Sequence, residues 1–377
     1  MSATGARAAD VTLERESSMT AGVGRVLRYV AFAAVPAAVV TTMFVVAVRT
    51  GPLAWDFRNE LYPQAKALLE GANPWPEALW PPLATVVAMP FTVLPSEAAG
   101  VAFALGGLGW MALALWLVGV RDWRVYGAVG LWPPVLGDIR IAHLTPLLCL
   151  LAALVWRYRD RPLLSGLALG LAGGLKFFLW PLGVWLVATG RYRAAAIAAA
   201  TAAASVLAVV PFAPLHAYLD TLREVREAFD QDSYSPFGFL MQLGVPETLA
   251  RGVTWAIGLA LLVACWRRAS LGLAVAAALA LSPIVWLDYY AVAAIPLAVV
   301  RPRLTWVWLA PIATWGLLSA GIGAGNGWGS ARVLLVFGLV FAVIVRGERQ
   351  AEAAGAGHPA TVEPAPTARL DPKPSSS

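Results

Sequence analysis

The sequence predicts an all-α polytopic integral membrane protein, and three observations carry that prediction. Of its 377 residues, 59% are hydrophobic and only 13% are charged, about half the charged share of a soluble domain. Apolar runs recur from residue 26 to residue 345 and are continuous rather than alternating, which favours membrane helices over a barrel. Arginines punctuate those runs, in clusters at Arg121/Arg124, Arg157 to Arg161, Arg191/Arg193, Arg267/Arg268, Arg301/Arg303 and Arg346/Arg349. The formal net charge of +6 is therefore a positive-inside pattern and does not point to a nucleic-acid partner. Cys149 and Cys265 both fall in apolar runs, so free, buried thiols are expected instead of a disulfide framework.

The elements follow in order. Residues 1–24 are polar and rich in small residues, expected to be disordered and cytoplasmic, with Arg25 and Arg28 at the flank. Run 26–48 is long enough to cross ~30 Å of hydrocarbon and reads as a retained signal anchor. Loop 49–82 then carries Asp56, Glu60, Glu70 and Glu77 among Arg58, Lys66 and the aromatics Trp55, Tyr62, Trp75 and Trp80. Such aromatics settle at the headgroup level. The spacing of Phe57, Leu61, Ala65 and Leu68 predicts a short amphipathic helix lying on the membrane, begun by Asp56. Gly71, Asn73, Pro74 and Pro76 are expected to end it.

Run 83–94 contains Pro90 and is followed by Pro95, so it reads as re-entrant or partial. Full segments are expected at 98–120, 125–136, 144–156, 163–175, 177–189, 194–210, 252–265, 271–286, 289–300, 304–319 and 333–345. A second polar loop spans 211–251, and the tail 347–377, rich in Ala, Pro, Glu and Ser, is expected to be disordered and cytoplasmic. With every basic cluster inside, the chain makes about twelve spans in one membrane domain, 25–346. The turns at 138–143, Lys176, 211–251, Asp288 and 321–330 then share the outer face with Asp56.

Few residues in those turns can carry chemistry. The chain has three lysines, Lys66, Lys176 and Lys373. Lys176 stands alone between two apolar segments, where an ammonium suits a phosphate; a lysine snorkelling from a helix end is the alternative. Asp288 is the one carboxylate between residues 271 and 300, a functional candidate or a helix cap. Arg140 and His143 offer a second cationic or hydrogen-bonding point, against polar turn residues facing water. Asp56 could equally be a cap. No HExxH, zinc-spaced Cys/His cluster, Walker loop or GxSxG elbow occurs, so zinc, nucleotide-driven and serine-hydrolase chemistries lack support.

Together the short motifs form an ordered pattern. Asp56-Phe57, Leu68-Leu69-Glu70-Gly71, Trp80-Pro81-Pro82, the run from Leu175-Lys176-Phe177-Phe178 to Pro181, and Ser282-Pro283-Ile284-Val285-Trp286 follow one another. This order resembles glycosyltransferase family 87, a DUF2029-type group of polyprenol-phosphate-mannose-dependent mannosyltransferases with the GT-C fold. The resemblance implies a GT-C-type bundle whose external loops carry short amphipathic helices. It also implies inverting transfer of a sugar, usually mannose, from a polyprenyl-phosphate donor to a lipid or cell-envelope glycan acceptor at the external face of the cell membrane.

By that resemblance Asp56 is the general base, and Lys176 lies near the donor phosphate. Asp288 would orient the acceptor or assist Asp56; Arg140, His143, Glu60, Arg58 and Tyr289 complete the expected substrate contacts. The family often has histidine where Asp288 and Tyr289 stand, and tyrosine at Trp80. No cofactor and no metal ligand set are predicted, although Asp56 and Glu60 could share a divalent cation with a phosphate. The rival from another class is a carrier or flippase for a lipid-linked sugar, which would place its charged site near the midplane, often between inverted repeats.

Overall fold

A computed structural model of the chain describes residues 22–51, 53–72, 80–208, 219–220, 223–224, 232–317 and 327–354. Asn73, Pro74, Pro76, much of loop 211–251, the turn at 321–326 and most of both termini lie outside the described residues. Among the described residues every regular element is a helix. The first is α1 (Gly22–Thr50), followed by α2 (Tyr62–Leu69), α3 (Pro82–Ala88) and α4 (Ser96–Leu117). Next come α5 (Trp123–Gly130), α6 (Pro133–Ile141), α7 (Thr145–Arg157), α8 (Pro162–Leu175), α9 (Pro181–Ala188) and α10 (Tyr192–Leu207). The series closes with α11 (Pro236–Gln242), α12 (Glu247–Arg268), α13 (Leu271–Leu281), α14 (Ala294–Val300) and α15 (Gly327–Ala353). Four of them, α1, α4, α12 and α15, are long and apolar enough to cross a membrane. Cys149 and Cys265 are free and buried.

Proline divides several of the expected segments. Run 125–136 is not one helix: α5 ends at Gly130, and Pro133-Pro134 opens α6 where a missing N–H costs nothing. Run 83–94 is the short helix α3, which tightens into a 3-10 segment, Met89–Val93, at Pro90. Run 271–286 stops early, because Pro283 has no N–H to donate and holds Ser282 extended. The last helix runs past Arg346 to Ala353, beyond the boundary expected from composition. Its Glu348 accepts hydrogen bonds from Ser270 Oγ and from Gly272 N (3.0 Å), which ties that extra turn to the start of α13.

The basic clusters gather at one end of the bundle. Asp122 Oδ2 accepts from Leu304 N at 3.0 Å, Arg301 Nη2 reaches Gln350 Oε1 at 3.5 Å, and Glu348 holds Ser270. Trp185 Nε1 donates to Ala269 O at 2.9 Å, and Arg191 pairs with Asp160 at 2.7 Å. Each helix leaving this end therefore carries its other terminus, with the turns at 138–143, Lys176 and Asp288, to the opposite end.

The close packing of α8 on α10 is made by glycine. Cβ atoms added at Gly166 and Gly170 would come within 2.8 Å of the Ala194 and Ala198 carbonyl oxygens, and one at Gly174 would meet Ser205 Cβ at 2.7 Å. This four-residue repeat lets α8 lie directly on the α10 backbone, the usual solution where no hydrophobic force drives helices together in lipid. That contact fixes the helix from which Lys176 emerges.

The amphipathic helix after α1 forms as its spacing predicts, but its apolar face packs into protein instead of lipid. Phe57, Leu61 and Ala65 are all 0% exposed. The Phe57 ring stacks on Phe103 at 4.5 Å and meets Phe91 edge-on at 5.8 Å. A π-turn over Phe57–Leu61 precedes α2, and Gly71 follows in the left-handed region at φ +73°.

Candidate active site

Four turns build the site. At the end of α6 Ala142 is left-handed, φ +55°, and its N–H bonds to Asp138 O at 2.7 Å. This reversal drops His143 and Thr145 into the interior. Ala54 is also left-handed, φ +56°, and its N–H bonds to Arg140 O at 2.6 Å. The same contact thus sets the start of the Asp56 helix against the His143 turn. For alanine that conformation costs about 1–2 kcal/mol, and residues held this way concentrate at functional sites.

The third turn follows α8. Lys176 leaves the helix in an extended conformation and aims its ammonium at the His143 ring, with Nζ 3.0 Å from Nε2. The fourth is the broken helix at Pro283. Its extended backbone is satisfied by a neighbouring loop: Tyr234 N donates to Val285 O (2.8 Å), and Val285 N donates to Ser233 Oγ (2.9 Å). Tyr290 OH donates to Tyr234 O at 2.8 Å. So anchored, the 3-10 segment Leu287–Ala293 turns Asp288 and Tyr289 inward.

These turns converge on one hydrogen-bonded chain. Thr145 Oγ1 donates to Asp288 Oδ2 at 2.8 Å, and His143 Nδ1 lies 3.1 Å from the same oxygen. An ammonium can only donate, so His143 Nε2 accepts from Lys176, and the ring proton sits on Nδ1, facing Asp288. The Lys176 Nζ also lies 4.0 Å from the centre of the Tyr289 ring and 4.9 Å from that of Trp80, so two aromatic faces stabilise the cation. The Trp80 ring in turn packs at a tilt against His143, 4.6 Å between centres, and donates its indole N–H to Glu60 Oε2 at 2.6 Å.

Asp56 completes the group. Its carboxylate does not cap its helix. Burial, then the charges of Glu60 and Asp288, raise its pKa well above the usual carboxylate range, against the opposing pull of Lys176. Glu60 is likewise raised by burial, opposed by the Trp80 hydrogen bond. At the turn after α8, burial lowers Lys176 to about 8 in spite of the surrounding carboxylates. A carboxylate whose proton affinity is raised, close to a cation held by aromatic faces, is the electrostatic pattern of acid–base chemistry beside an anion.

The structure thus brings together Asp56, Glu60, Lys176, His143, Asp288 and Tyr289. His143 is 3% exposed and does not face water. Neither the cap alternative for Asp288 nor the snorkelling alternative for Lys176 describes what those side chains do. Arg58 is turned away and pairs with Glu97 at 2.9 Å, while Arg140 contributes its carbonyl to Ala54. Two members escaped the sequence reading. Thr145 is a buried hydroxyl between two polar groups, and its only signal is its place two residues after His143. Asp138 is 2% exposed with Oδ1 lacking a hydrogen-bond partner, 3.9 Å from His143 Nδ1. Asp138, His143 and Asp288 offer ligand atoms within 4.8 Å of one another, close enough to surround a cation, but the proton on His143 Nδ1 points into that space.

The family model of glycosyltransferase family 87 matches residues 78–287, more than half of the 377-residue chain. The chain belongs to glycosyltransferase family 87. The matched stretch contains Trp80, Asp138, His143, Thr145 and Lys176; Asp288 follows its last residue, and Asp56 and Glu60 precede its first. No curated protein and no solved structure matches the chain. As a member of family 87 with four helices able to cross a membrane, the protein is a membrane glycosyltransferase, acting on a sugar donor and an acceptor.

Proposed function

We propose that this glycosyltransferase moves a sugar, with mannose the first candidate, from a polyprenyl-phosphate donor to a lipid or cell-envelope glycan acceptor, with inversion. The observation that carries the reading is that Asp56 and Lys176 lie close enough for their charges to act on each other, at the end of the bundle opposite the arginines. By the positive-inside bias this end is the external face of the cell membrane, and both termini are cytoplasmic in a bundle of about twelve spans.

In the reaction Asp56 accepts the proton of an acceptor hydroxyl, whose oxygen bonds to the sugar anomeric carbon from the face opposite the phosphate. The carbon–oxygen bond to phosphate breaks, and its electron pair leaves with the phosphate. The Lys176 ammonium stabilises the charge that develops there. Of its three donors one is committed to His143, and the cation is held between Tyr289 and Trp80, so it meets the donor in a fixed orientation. Asp288 acts through His143 as a positioning residue. The polyprenyl tail stays in the bilayer, which suits an active site built from turns of membrane helices.

The test is transfer by purified protein from labelled polyprenyl-phosphate-mannose to candidate acceptors, beside an Asp56→Asn variant. A new glycosidic product made by wild type and lost in the variant is expected. Movement of the donor across vesicles without a new bond would favour a carrier instead, and near-normal transfer by Asp56→Asn would remove Asp56 from the base role.

A further inference from the structure

At the arginine-marked end, away from the active site, the turn after α14 and the last turns of α15 border a partly open cavity of about 280 Å³. Arg301, Thr305, Trp306, Arg346 and Gln350 line it, together with Val307 and Val343. Its volume is near the lower limit, ~300 Å³, of small-molecule sites.

The lining is polar in a lopsided way. Among the described residues neither Arg301 nor Arg346 has a carboxylate within ion-pair distance. Glu348, between Arg346 and Gln350 on α15, is turned to Ser270 and Gly272. Thr305 precedes the 3-10 turn Trp306–Trp308 yet does not cap it. Its buried Oγ1 has no hydrogen-bond partner. Two like charges around a cavity repel, and a buried hydroxyl without a partner loses stability. One anion with several acceptor oxygens would relieve both. Trp306, 61% exposed, stands at the cavity edge, as aromatics do at the membrane boundary.

We infer that this cavity binds the headgroup phosphate of an anionic phospholipid, with Arg301 and Arg346 on the phosphate oxygens and Thr305 Oγ1 donating to one of them. The lipid source is favoured over a free anion because the cavity lies at the level of the basic clusters, with the exposed Trp306 at its edge. Basic pockets between membrane helices take anionic headgroups in this way.

Native mass spectrometry on the delipidated full chain tests this, with short-chain phosphatidylglycerol, phosphatidylcholine of equal chain length and inorganic phosphate as probes. Wild type should retain one phosphatidylglycerol in preference to phosphatidylcholine. Arg301→Gln/Arg346→Gln should weaken retention about 30-fold, the effect of two juxtamembrane charges. Arg267→Gln/Arg268→Gln, which removes equal charge from the end of α12, should leave it unchanged. If the first double variant folds poorly, Arg346→Gln alone changes an exposed side chain and should cost about 5-fold. Equal loss in both double variants, equal retention of phosphatidylcholine, or binding of inorganic phosphate without the lipid would each overturn the inference.

Discussion

The Nζ of Lys176 lies 3.0 Å from Nε2 of His143, although 33 residues and a helical hairpin separate them. Because Asp288 and Thr145 fix the other side of the imidazole, His143 is a rigid acceptor that aims the ammonium. Removing it should release the lysine without removing its charge. His143→Ala is expected to raise the donor KM and lower kcat/KM about 10- to 100-fold, the cost of misplacing a reacting group by roughly 1 Å. His143→Gln, which can still accept, should recover part of the loss; steady-state kinetics on both variants checks this.

Lys176 also sets a basic limit on activity. Its ammonium must be protonated to hold a phosphate, and burial lowers its pKa to about 8. As pH rises through that value the charge is lost, so kcat/KM, which reports the free enzyme, should fall above about pH 8. Lys176→Arg stays charged throughout and should abolish this limb, at reduced overall rate because guanidinium geometry differs. A basic limb unchanged in Lys176→Arg would assign it to another group.

Asp56→Asn should lower kcat about 10²- to 10⁴-fold, the range for loss of a general base, and leave donor binding close to normal. Single-turnover transfer, with donor binding measured separately, distinguishes this from misfolding.

The acid limb should respond to Glu60. The Asp56 pKa is raised by burial and then by the negative charge of Glu60. A base works only when ionised, so activity rises as pH rises through that raised pKa. Glu60→Gln removes a repelling charge, lowers the Asp56 pKa and should move the acid limb to lower pH, while its side-chain oxygen still accepts from Trp80. A shift to higher pH would contradict the electrostatic account.

Gly170→Ala should destabilise the bundle by about 1–3 kcal/mol, the cost of overpacking. The added Cβ would lie 2.4 Å from Thr201 Cβ and 2.8 Å from the Ala198 carbonyl oxygen. Gly109→Ala, with nothing within 4 Å, serves as the neutral comparison. Thermal unfolding in detergent reads both.

Much of this molecule was legible in its one-dimensional pattern. Hydrophobic runs and arginine clusters declare a membrane bundle and group its turns into two ends, because side-chain transfer energies act locally. The 3.6-residue spacing of Phe57, Leu61 and Ala65 marks the buried face of the first loop helix. The prolines mark the breaks, although proline chemistry makes two helices of run 125–136. The family resemblance singled out Asp56 from its neighbouring carboxylates.

What covers each face, and which polar side chains meet, only the tertiary structure decided. The apolar stripe after α1 fits lipid and protein equally well until Phe103 and Phe91 are seen against it. Arg58 and Glu60 are near neighbours in one loop, yet Arg58 turns to Glu97 and Glu60 to Trp80. Thr145 and Asp288 stand 143 residues apart, and no local spacing announces their hydrogen bond. Burial, hydrogen-bond direction and the pKa of a carboxylate depend on atoms from distant parts of the chain. The sequence alone therefore determined a membrane bundle with its polar turns at one end, and the packing of α8 on α10 and the left-handed turns at Ala54 and Ala142 assembled those turns into a site.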